Sequence, residues 1–442
     1  MTERTGPRGK KTGKPPLELE LVLSDWSGRG AVGAEHDGRR LQIDRGIPGE
    51  RVLATVDRRR TPWRGVVDAV VEASADRVDA PCVHYHQGCG GCQWQHVAHA
   101  AQMDAKCRLV DSEMRTAGIA DARVSRAHGM ETPWRYRHTA ALAIGWEAGF
   151  RPRGRRGIVE IRDCPIAHPL IGSLADQLNQ LLRAGGAPNY HGKVWLDCAV
   201  VGPSSHPVLQ VLIQGIEGLT LETHPELPEL AEQIAKLHGV GTVAFRHRSG
   251  EPRPLVGDLM SQIEIAGRLM WLPAGSFCQT NLEMVAIVLQ RIREAMRNRV
   301  LQQAADVYGG IGTFGVSLAD EVGHMTLIEL DALAVEAAGR TANDWGLTNM
   351  TLMSRHAERA LGDLPPLDLL IVDPPRSGLG ATVCDAIVAN GARLVAYVSC
   401  APSSLARDLA VLQGANFRVE SLEMFDFYPQ TYHVECLAML AR

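Results

Sequence analysis

The sequence predicts three folded parts in series: an N-terminal OB-like β-barrel, an α+β central domain, and a C-terminal doubly wound α/β domain of Rossmann-like type. Three observations carry that prediction. Residues 17–73 are short alternating apolar segments broken by glycines, the pattern of a small barrel. From residue 304 apolar strand candidates alternate with helical stretches, which is how a parallel sheet with helical crossovers reads. Between these lie three closely spaced cysteines, with a fourth further on.

Composition sets the bounds. A chain of 442 residues accommodates two or three domains. The apolar fraction of 45% and charged fraction of 22% are those of a globular protein. Aromatics make up only 5%, so Leu, Val and Ala must fill the core. No stretch approaches the roughly 20 uncharged apolar residues of a membrane span. The first residues carry charge without an apolar signal segment, and a cytoplasmic location is expected. Ten cysteines are too dilute for a disulfide scaffold; core, metal-bound or catalytic roles are expected. The net charge of -4 is unevenly spread. Residues 1–163 hold 27 Lys/Arg against 21 Asp/Glu, and the remainder 19 against 29. A basic half suggests an anionic partner.

Residues 1–16, with Arg4, Arg8, Lys10, Lys11 and Lys14, cannot bury a core and are expected to form a disordered basic tail. Five strand candidates follow at Leu17–Leu23, Ala31–Ala34, Arg40–Ile43, Glu50–Val56 and Val66–Val71, with Gly and Pro-Gly turns between them. Arg39, Arg40, Arg45, Arg58, Arg59, Arg60 and Arg64 cluster there with Trp26 and Trp63. Arginines on a charged barrel face need no ligand. The interleaved tryptophans favour single-stranded nucleic acid, which such barrels hold by phosphate contact and base stacking. A helix is expected over 95–118, stopped by Gly118, and strands at Thr139–Ile144 and Val208–Ile213. Leu282, Val285, Leu289, Ile292 and Met296 form the stripe of a packed helix over 282–297. Strand candidates of the last domain are Ala304–Val307, Met325–Glu329, Leu367–Val372 and Leu394–Val398.

The chemistry gathers where those strands end. Ligands of doubly wound sheets bind beyond the carboxyl ends of the strands, and Gly309, Glu329, Asp373 and Cys400 each stand at one. Gly309-Gly310-Ile311-Gly312 lets backbone approach a ligand and is expected to open a helix. Such a turn serves dinucleotides and S-adenosylmethionine alike. Glu329, 17 residues after Gly312, is placed to accept hydrogen bonds from ribose hydroxyls; without a diphosphate motif it leans toward S-adenosylmethionine. Asp373-Pro374-Pro375-Arg376 is a stiff turn that can aim a group at a planar base. Cys400 precedes a helix starting near Pro402, which predicts a depressed thiol pKa. A thiolate there can add to carbon 6 of uracil and make carbon 5 nucleophilic. Glu435, flanked by apolar residues, is expected to be buried with a raised pKa suited to a general base. His433 would orient Glu435, contact RNA or serve structure. Each residue alone has a plain structural reading; the set together points to methylation of a uracil ring.

Cys82, Cys89 and Cys92 have the spacing C-x6-C-x2-C, and Cys164-Pro165 follows 72 positions beyond Cys92. Four such thiols suit zinc or a [4Fe–4S] cluster, and spacing does not decide between them. Cys107, Cys198, Cys278, Cys384 and Cys436 read as core thiols.

With these residues in hand, the chain resembles the RNA uracil-5-methyltransferases over about residues 17–442, in particular the iron–sulfur branch with a TRAM domain that acts on 23S rRNA. The resemblance implies a TRAM barrel at 17–74. It implies an iron–sulfur domain at 75–94 and 128–275, with Cys82, Cys89, Cys92 and Cys164 holding a [4Fe–4S] cluster. It implies a methyltransferase domain at 95–127 and 276–442. Phe277-Cys278-Gln279-Thr280-Asn281 matches the family's Phe-x-Gln-x-Asn run, which implies Gln279 at the cofactor and Phe277 at the target base. Tyr308, Gly310, Gly312, Thr313, Glu329, His356 and Asp373 fall on cofactor- or site-lining positions. Cys400 falls on the nucleophile and Glu435 on the base, with Asp373 beside them. Arg135 and Arg137 match positions near the RNA. The chain departs from the family at Gly309, where Cys is usual; at Ala401, where Asn is usual; and at His356, where an acid or amide is usual. The implied activity is methylation of a 23S rRNA uridine by a monomer without membrane contact. The alternatives are the T-loop uridine of tRNA, or a catalytically weak RNA-binding factor that keeps the fold.

Overall fold

The computed structural model describes residues 15–442 apart from 60, 120, 186–193, 216–219, 222 and 248–249. Most of the basic tail, and Arg60 of the arginine cluster, lie outside the described residues. The chain forms two compact units. One comprises residues up to Pro81 with Cys92–Gln102 and Gln430–Tyr432; the other comprises Cys82–Gly91, Met103–Pro429 and His433–Arg442.

The first unit holds β1 (Leu17–Val22), β2 (Trp26–Ser27), β3 (Ala31–His36), β4 (Arg39–Asp44), β5 (Arg51–Asp57) and β6 (Trp63–Glu72). They form one sheet in the order β1-β5-β6-β4-β3-β2. The sixth strand is the two-residue β2, too short for the alternation signal. Period-two burial is clean along β5, where Val52, Ala54 and Val56 turn inward and join Leu21, Val32, Leu41 and Ile43 in one core. Asp37 and Gly38 both take positive φ between β3 and β4, the two-residue hairpin turn whose twist matches the strands.

The second unit begins with α1 (Val83–His86), the body of α2 (His99–Thr116) and β7 (Val124–His128). The helix starts four residues later than expected. A turn at 94–97, closed by Val97 N to Trp94 O, and the antiparallel bridge of Val97 with Arg77 occupy these residues instead. Gly118 ends the helical segment with φ +80.

A central mixed sheet follows: β8 (Thr139–Ile144), β9 (Ala148–Phe150), β10 (Val159–Glu160), β11 (Val194–Val201), β12 (Val208–Gly215), β13 (Val240–His247) and β14 (Arg253–Val256). Its order is β10-β9-β8-β11-β12-β13-β14. Helices α3 (Pro169–Arg183) and α4 (Leu227–Ala235) pack on it, and β15 (Met260–Ile265) pairs with β16 (Arg268–Pro273) as a hairpin.

The last part runs α5 (Leu282–Met296), β17 (Gln303–Val307), α6 (Gly315–Leu318), β18 (His324–Glu329), α7 (Ala332–Asp344), β19 (Met350–Ser354), α8 (Ala357–Asp363), β20 (Leu369–Val372), α9 (Gly380–Asn390), β21 (Leu394–Ser399), α10 (Pro402–Gly414), β22 (Arg418–Phe425) and β23 (Glu435–Ala441). Asn281 caps α5 by accepting from Met284 N at 3.2 Å, and Val285, Leu289, Ile292 and Met296 of the predicted stripe are buried. The eight-stranded sheet is ordered β19-β18-β17-β20-β21-β23-β22-β7. Strands β19 to β21 pair in parallel, and β23 lies antiparallel between β21 and β22. Every residue of β20 and β21 is buried, because helices cover both faces; such strands read as unbroken apolar runs. Leu370 and Val395 share their core with Val110 and Met114 of α2. Truncating one such residue to Ala removes about 2–5 kcal/mol.

Candidate active site

The direction of strand addition reverses between β17 and β20, since β18 lies on one side of β17 and β20 on the other. That reversal opens a crevice at the carboxyl edge. The turn after β17, the end of β18, Asp373 after β20 and Cys400 after β21 all stand on this edge. β23 runs the opposite way, so its first residue, Glu435, lies there too; Cys436 pairs with Ser399. The antiparallel strand thus places the carboxylate beside the thiol from a position 35 residues later in the chain.

The turn after β17 differs from the expectation. The glycines lead into bends and only four residues of helix, α6, so carboxylates rather than a helix end organise the loop. Asp306 is fully buried beneath it and accepts from Gly315 N at 2.7 Å. A Cβ on Gly315 would stand 2.6 Å from that of Asp306, which fixes glycine there. Glu329 accepts from Gly310 N at 3.1 Å, and its other oxygen accepts from Asp331 N at 2.9 Å. Tyr308 takes φ +63, rare for a bulky residue. Burial pushes Asp306 up to about 7 despite the Gly315 bond, and its Oδ1 has no partner among the described residues.

Gln279 donates to Asp373 Oδ2 at 2.9 Å. Burial pushes Asp373 up to about 7, and the Gln279 bond opposes this. Glu435 is 2% exposed, and its Oε1 lacks a partner among the described residues. Burial first, then the Asp373 charge, hold it well above the usual carboxylate range, against Arg376. This is the environment expected of the base. The Cys400 thiol is the reverse of the expectation. Burial and the Glu435 carboxylate push it up to about 11, outweighing Arg376, so the depressed pKa argued from the following helix does not arise in this state. Arg376 Nη2 donates to His433 Nδ1 at 3.4 Å. Burial, then Arg376, lower His433 to about 4 and keep it neutral.

Thr313 is buried beside the turn, and Phe277 is 70% exposed, free to meet a ligand face. His356 is the exposed residue before α8, with Nδ1 4.0 Å from Glu358. Arg135 is engaged within the protein. Its Nη atoms hold Asp163 at 2.7 and 2.8 Å, and Nη1 also bonds Cys164 O. It clasps the cysteine loop rather than standing free. Arg137 donates to Thr139 O at 2.9 Å.

Cys82, Cys89 and Cys164 lie in the second unit, and Cys92 opens a segment of the first. Burial raises Cys89 to about 11, with Cys164 and Cys82 adding to the effect. Gly91 N donates to Cys89 Sγ at 3.5 Å, and Ala167 and Ile166 donate to Cys164. Among the described residues no three His, Cys, Asp or Glu side chains gather as a single metal ion requires.

Sequence reasoning missed three contributors. Asp306 props the turn, and its signal was the acid three residues before the glycine run. Tyr428 is half-buried, and partial burial, then Glu435 and Cys400, raise the pKa of its hydroxyl. Lys106 of α2 is fully buried and donates to Asp426 Oδ1 at 2.5 Å and Tyr428 O at 3.1 Å. A lysine in a helix carries no signal of burial.

The fold is that of a methyltransferase. A Pyrococcus abyssi tRNA (uracil-54, C5)-methyltransferase solved with S-adenosyl-L-homocysteine matches 96% of this chain and 99% of its own, with TM-score 0.74 and 20% identity. The tRNA (Uracil-5-)-methyltransferase family profile matches residues 257–442. An RNA methyltransferase of Halalkalibacterium halodurans is 30% identical over 449 residues, covering 96% of each chain. A 23S rRNA (uracil(1939)-C(5))-methyltransferase of Pseudomonas entomophila is 29% identical, covering 98% of this chain and 94% of that one. The chain belongs to the RNA (uracil-5-)-methyltransferase family and is an RNA methyltransferase. No described helix is long and apolar enough to cross a membrane.

Proposed function

We propose that the protein methylates carbon 5 of one uridine in 23S rRNA, with Cys400 as nucleophile and Glu435 as base. The observation that carries this is the pairing of β21 with β23, which sets a thiol and an isolated, buried carboxylate side by side on the crevice edge. S-adenosylmethionine, when bound, supplies an electrophilic methyl group. The residues that would hold it are Glu329 and the Gly310–Gly312 turn, with Gln279, Tyr308, Thr313, His356 and Asp373. Their fit rests on a cradle of backbone N–H groups and carboxylates open at the sheet's carboxyl edge.

The Cys400 thiol gives its proton to water as the sulfur adds to carbon 6 of the uracil, and the electron pair of the C5–C6 bond becomes an enolate. Carbon 5 then takes the methyl group, the electron pair of the broken methyl–sulfur bond staying with the departing thioether. Glu435 removes the proton left on carbon 5, the C6–sulfur bond breaks, and the thiolate returns. A carboxylate with a raised pKa accepts that proton more readily than an exposed one. Arg376 is the cation that opposes burial of negative charge at Cys400, and His433, held neutral, is the acceptor that positions it. Phe277 lies open to stack on the target base.

The remaining parts are read in the same frame. The first sheet, 17–74, is the TRAM barrel, where Arg39 lies 5.2 Å over the Trp63 ring. Residues 75–94 with 128–275 form the iron–sulfur domain, and 95–127 with 276–442 the catalytic domain. Cys82, Cys89, Cys92 and Cys164 would hold the [4Fe–4S] cluster. N–H donors aimed at the Cys89 and Cys164 sulfurs favour the thiolate form that a cluster binds. The cluster would serve structure or RNA positioning, since methyl transfer moves no electron. A cytoplasmic monomer suffices. Arg137 faces the RNA, and Arg135 supports it through the cysteine loop.

The test is transfer of labelled methyl from S-adenosylmethionine to unmodified 23S rRNA fragments and to tRNA transcripts, with anaerobically prepared protein. Label at carbon 5 of uridine in rRNA alone supports the proposal. Label in tRNA alone would move the substrate to the T-loop. Binding without label in either would favour an RNA-binding factor.

A further inference from the structure

A cavity of about 320 Å³ lies beside the crevice, lined by the face of β8, β11 and β12 and covered by the 274–280 segment. It borders the reaction site through Phe277, Arg137 and Tyr428, yet Cys400, Glu435 and Asp373 do not line it. Its size falls at the small end of ligand pockets.

Strand register explains its floor. Ala141, Asp197 and Leu212 are cross-strand partners, as are Thr139, Ala199 and Gln210, so these six side chains share one face. Alanine at 141 and 199 leaves the hollow. Asp197 and Gln210 place two polar groups in it. Gln210 is 2% exposed. Its Nε2 donates to Leu259 O, Leu272 O and Ser261 Oγ, and these are all the bonds its amide makes among the described residues. The two carbonyl acceptors fix the flip, so Oε1 is left open to the cavity. Arg246 spends Nη1 on Gly275 O at 3.2 Å and reaches Asp197 only at 4.0 Å. Burial raises the Asp197 carboxyl, and the distant Arg246 offsets this only in part. Two acceptors therefore face a half-open hollow with an exposed aromatic at its rim.

We infer that this cavity receives a second nucleobase of the substrate RNA, one bearing an exocyclic amino group, turned out of the strand beside the target uridine. This rests on the proposed reading that the substrate is a single uridine in RNA. Single-stranded bases are recognised by hydrogen bonds to their edges and by stacking, and carboxylates accept from base amino groups. Adenine, cytosine and guanine offer an amino group with two hydrogens. Uracil offers one N–H between two carbonyl oxygens, which would face the acceptors of Asp197 and Gln210 and be repelled. The cavity thus makes a sequence requirement next to the methylated position.

Saturation-transfer NMR of the full-length protein with AMP, CMP, GMP and UMP tests the inference without methyl transfer. Transfer to the base protons of at least one amino-bearing nucleotide is expected. It falls several-fold in Asp197→Asn and vanishes in Ala199→Phe, which fills the hollow, while any UMP signal is unchanged. In the methylation assay, Asp197→Asn raises KM about tenfold, the low end of one base contact, and leaves kcat within a factor of about two. Equal signals from all four nucleotides that neither variant alters, or no signal from the amino-bearing three, would overturn the inference. Should Ala199→Phe fail to fold, Asp197→Asn alone decides. Should methylation itself be absent, the nucleotide result stands apart from it.

Discussion

Replacing Lys106 by Met removes one half of a buried ion pair. Lys106 and Asp426 are both 0% exposed, with Nζ 2.5 Å from Oδ1. The ammonium also bonds Tyr428 O at 3.1 Å. Burial lowers the lysine pKa and Asp426 opposes it, so the charged form survives only because its partner is present. At an effective dielectric constant near 20 the direct attraction is on the order of 6 kcal/mol, and desolving both ions costs a comparable amount. The pair is then nearly neutral, but a lone half is not. Lys106→Met leaves the Asp426 carboxylate buried without its cation and should cost about 3–5 kcal/mol. The double variant Lys106→Met/Asp426→Leu should lie within about 1 kcal/mol of wild type. Urea unfolding at constant pH measures both. A function follows, because the Tyr428 carbonyl loses its donor next to the site: the single variant should transfer methyl more slowly with Cys400 and Glu435 intact. A single variant that costs under about 1 kcal/mol, or a double variant as unstable as the single, would refute the reasoning.

Two further predictions concern titration. The Cys400 thiol stands at about 11 in the free protein, so its alkylation rate, read peptide by peptide, should rise about tenfold per pH unit between about pH 7 and 9; a plateau in that range would contradict the raised value. Glu423 bonds His128 Nε2 at 2.6 Å and Arg291 Nη2 at 2.7 Å. Burial pushes its carboxyl up, but these partners win and bring it to about 2. A depressed carboxylate stabilises above its ordinary value of 4.5 and loses that contribution as pH falls through about 2. Glu423→Gln should therefore be less stable than wild type at neutral pH, with the gap closing between those two values; a gap constant with pH would contradict the assignment.

Much of the catalytic sheet was legible because its signals are local. The segments Leu394–Val398 and Leu369–Val372 are unbroken apolar runs, and the residues just after them carry the chemistry. The central strand Thr139–Ile144 was read to the residue. What was not legible depends on distant partners. The thiol pKa of Cys400 follows from burial and from Glu435, which arrives on an antiparallel strand. The helix signal there was real, since α10 begins at Pro402, but burial outweighs it. The Arg135–Asp163 clasp, the buried Lys106 and the hollow over Ala141 and Ala199 come from strand register and packing, which no window of sequence displays. The short β2 was missed because two residues cannot alternate.

The central claim is that Cys400 bonds to the base and Glu435 releases it. The most direct measurement uses RNA with 5-fluorouridine at the target position, incubated with S-adenosylmethionine and analysed by denaturing electrophoresis and mass spectrometry. Fluorine cannot leave carbon 5 as a proton does, so the wild-type protein should remain covalently attached through the peptide containing Cys400. Cys400→Ala should form no adduct, and Glu435→Gln should accumulate one even on ordinary uridine RNA. Methylation of uridine RNA by Cys400→Ala, or an adduct through any other residue, would contradict the account.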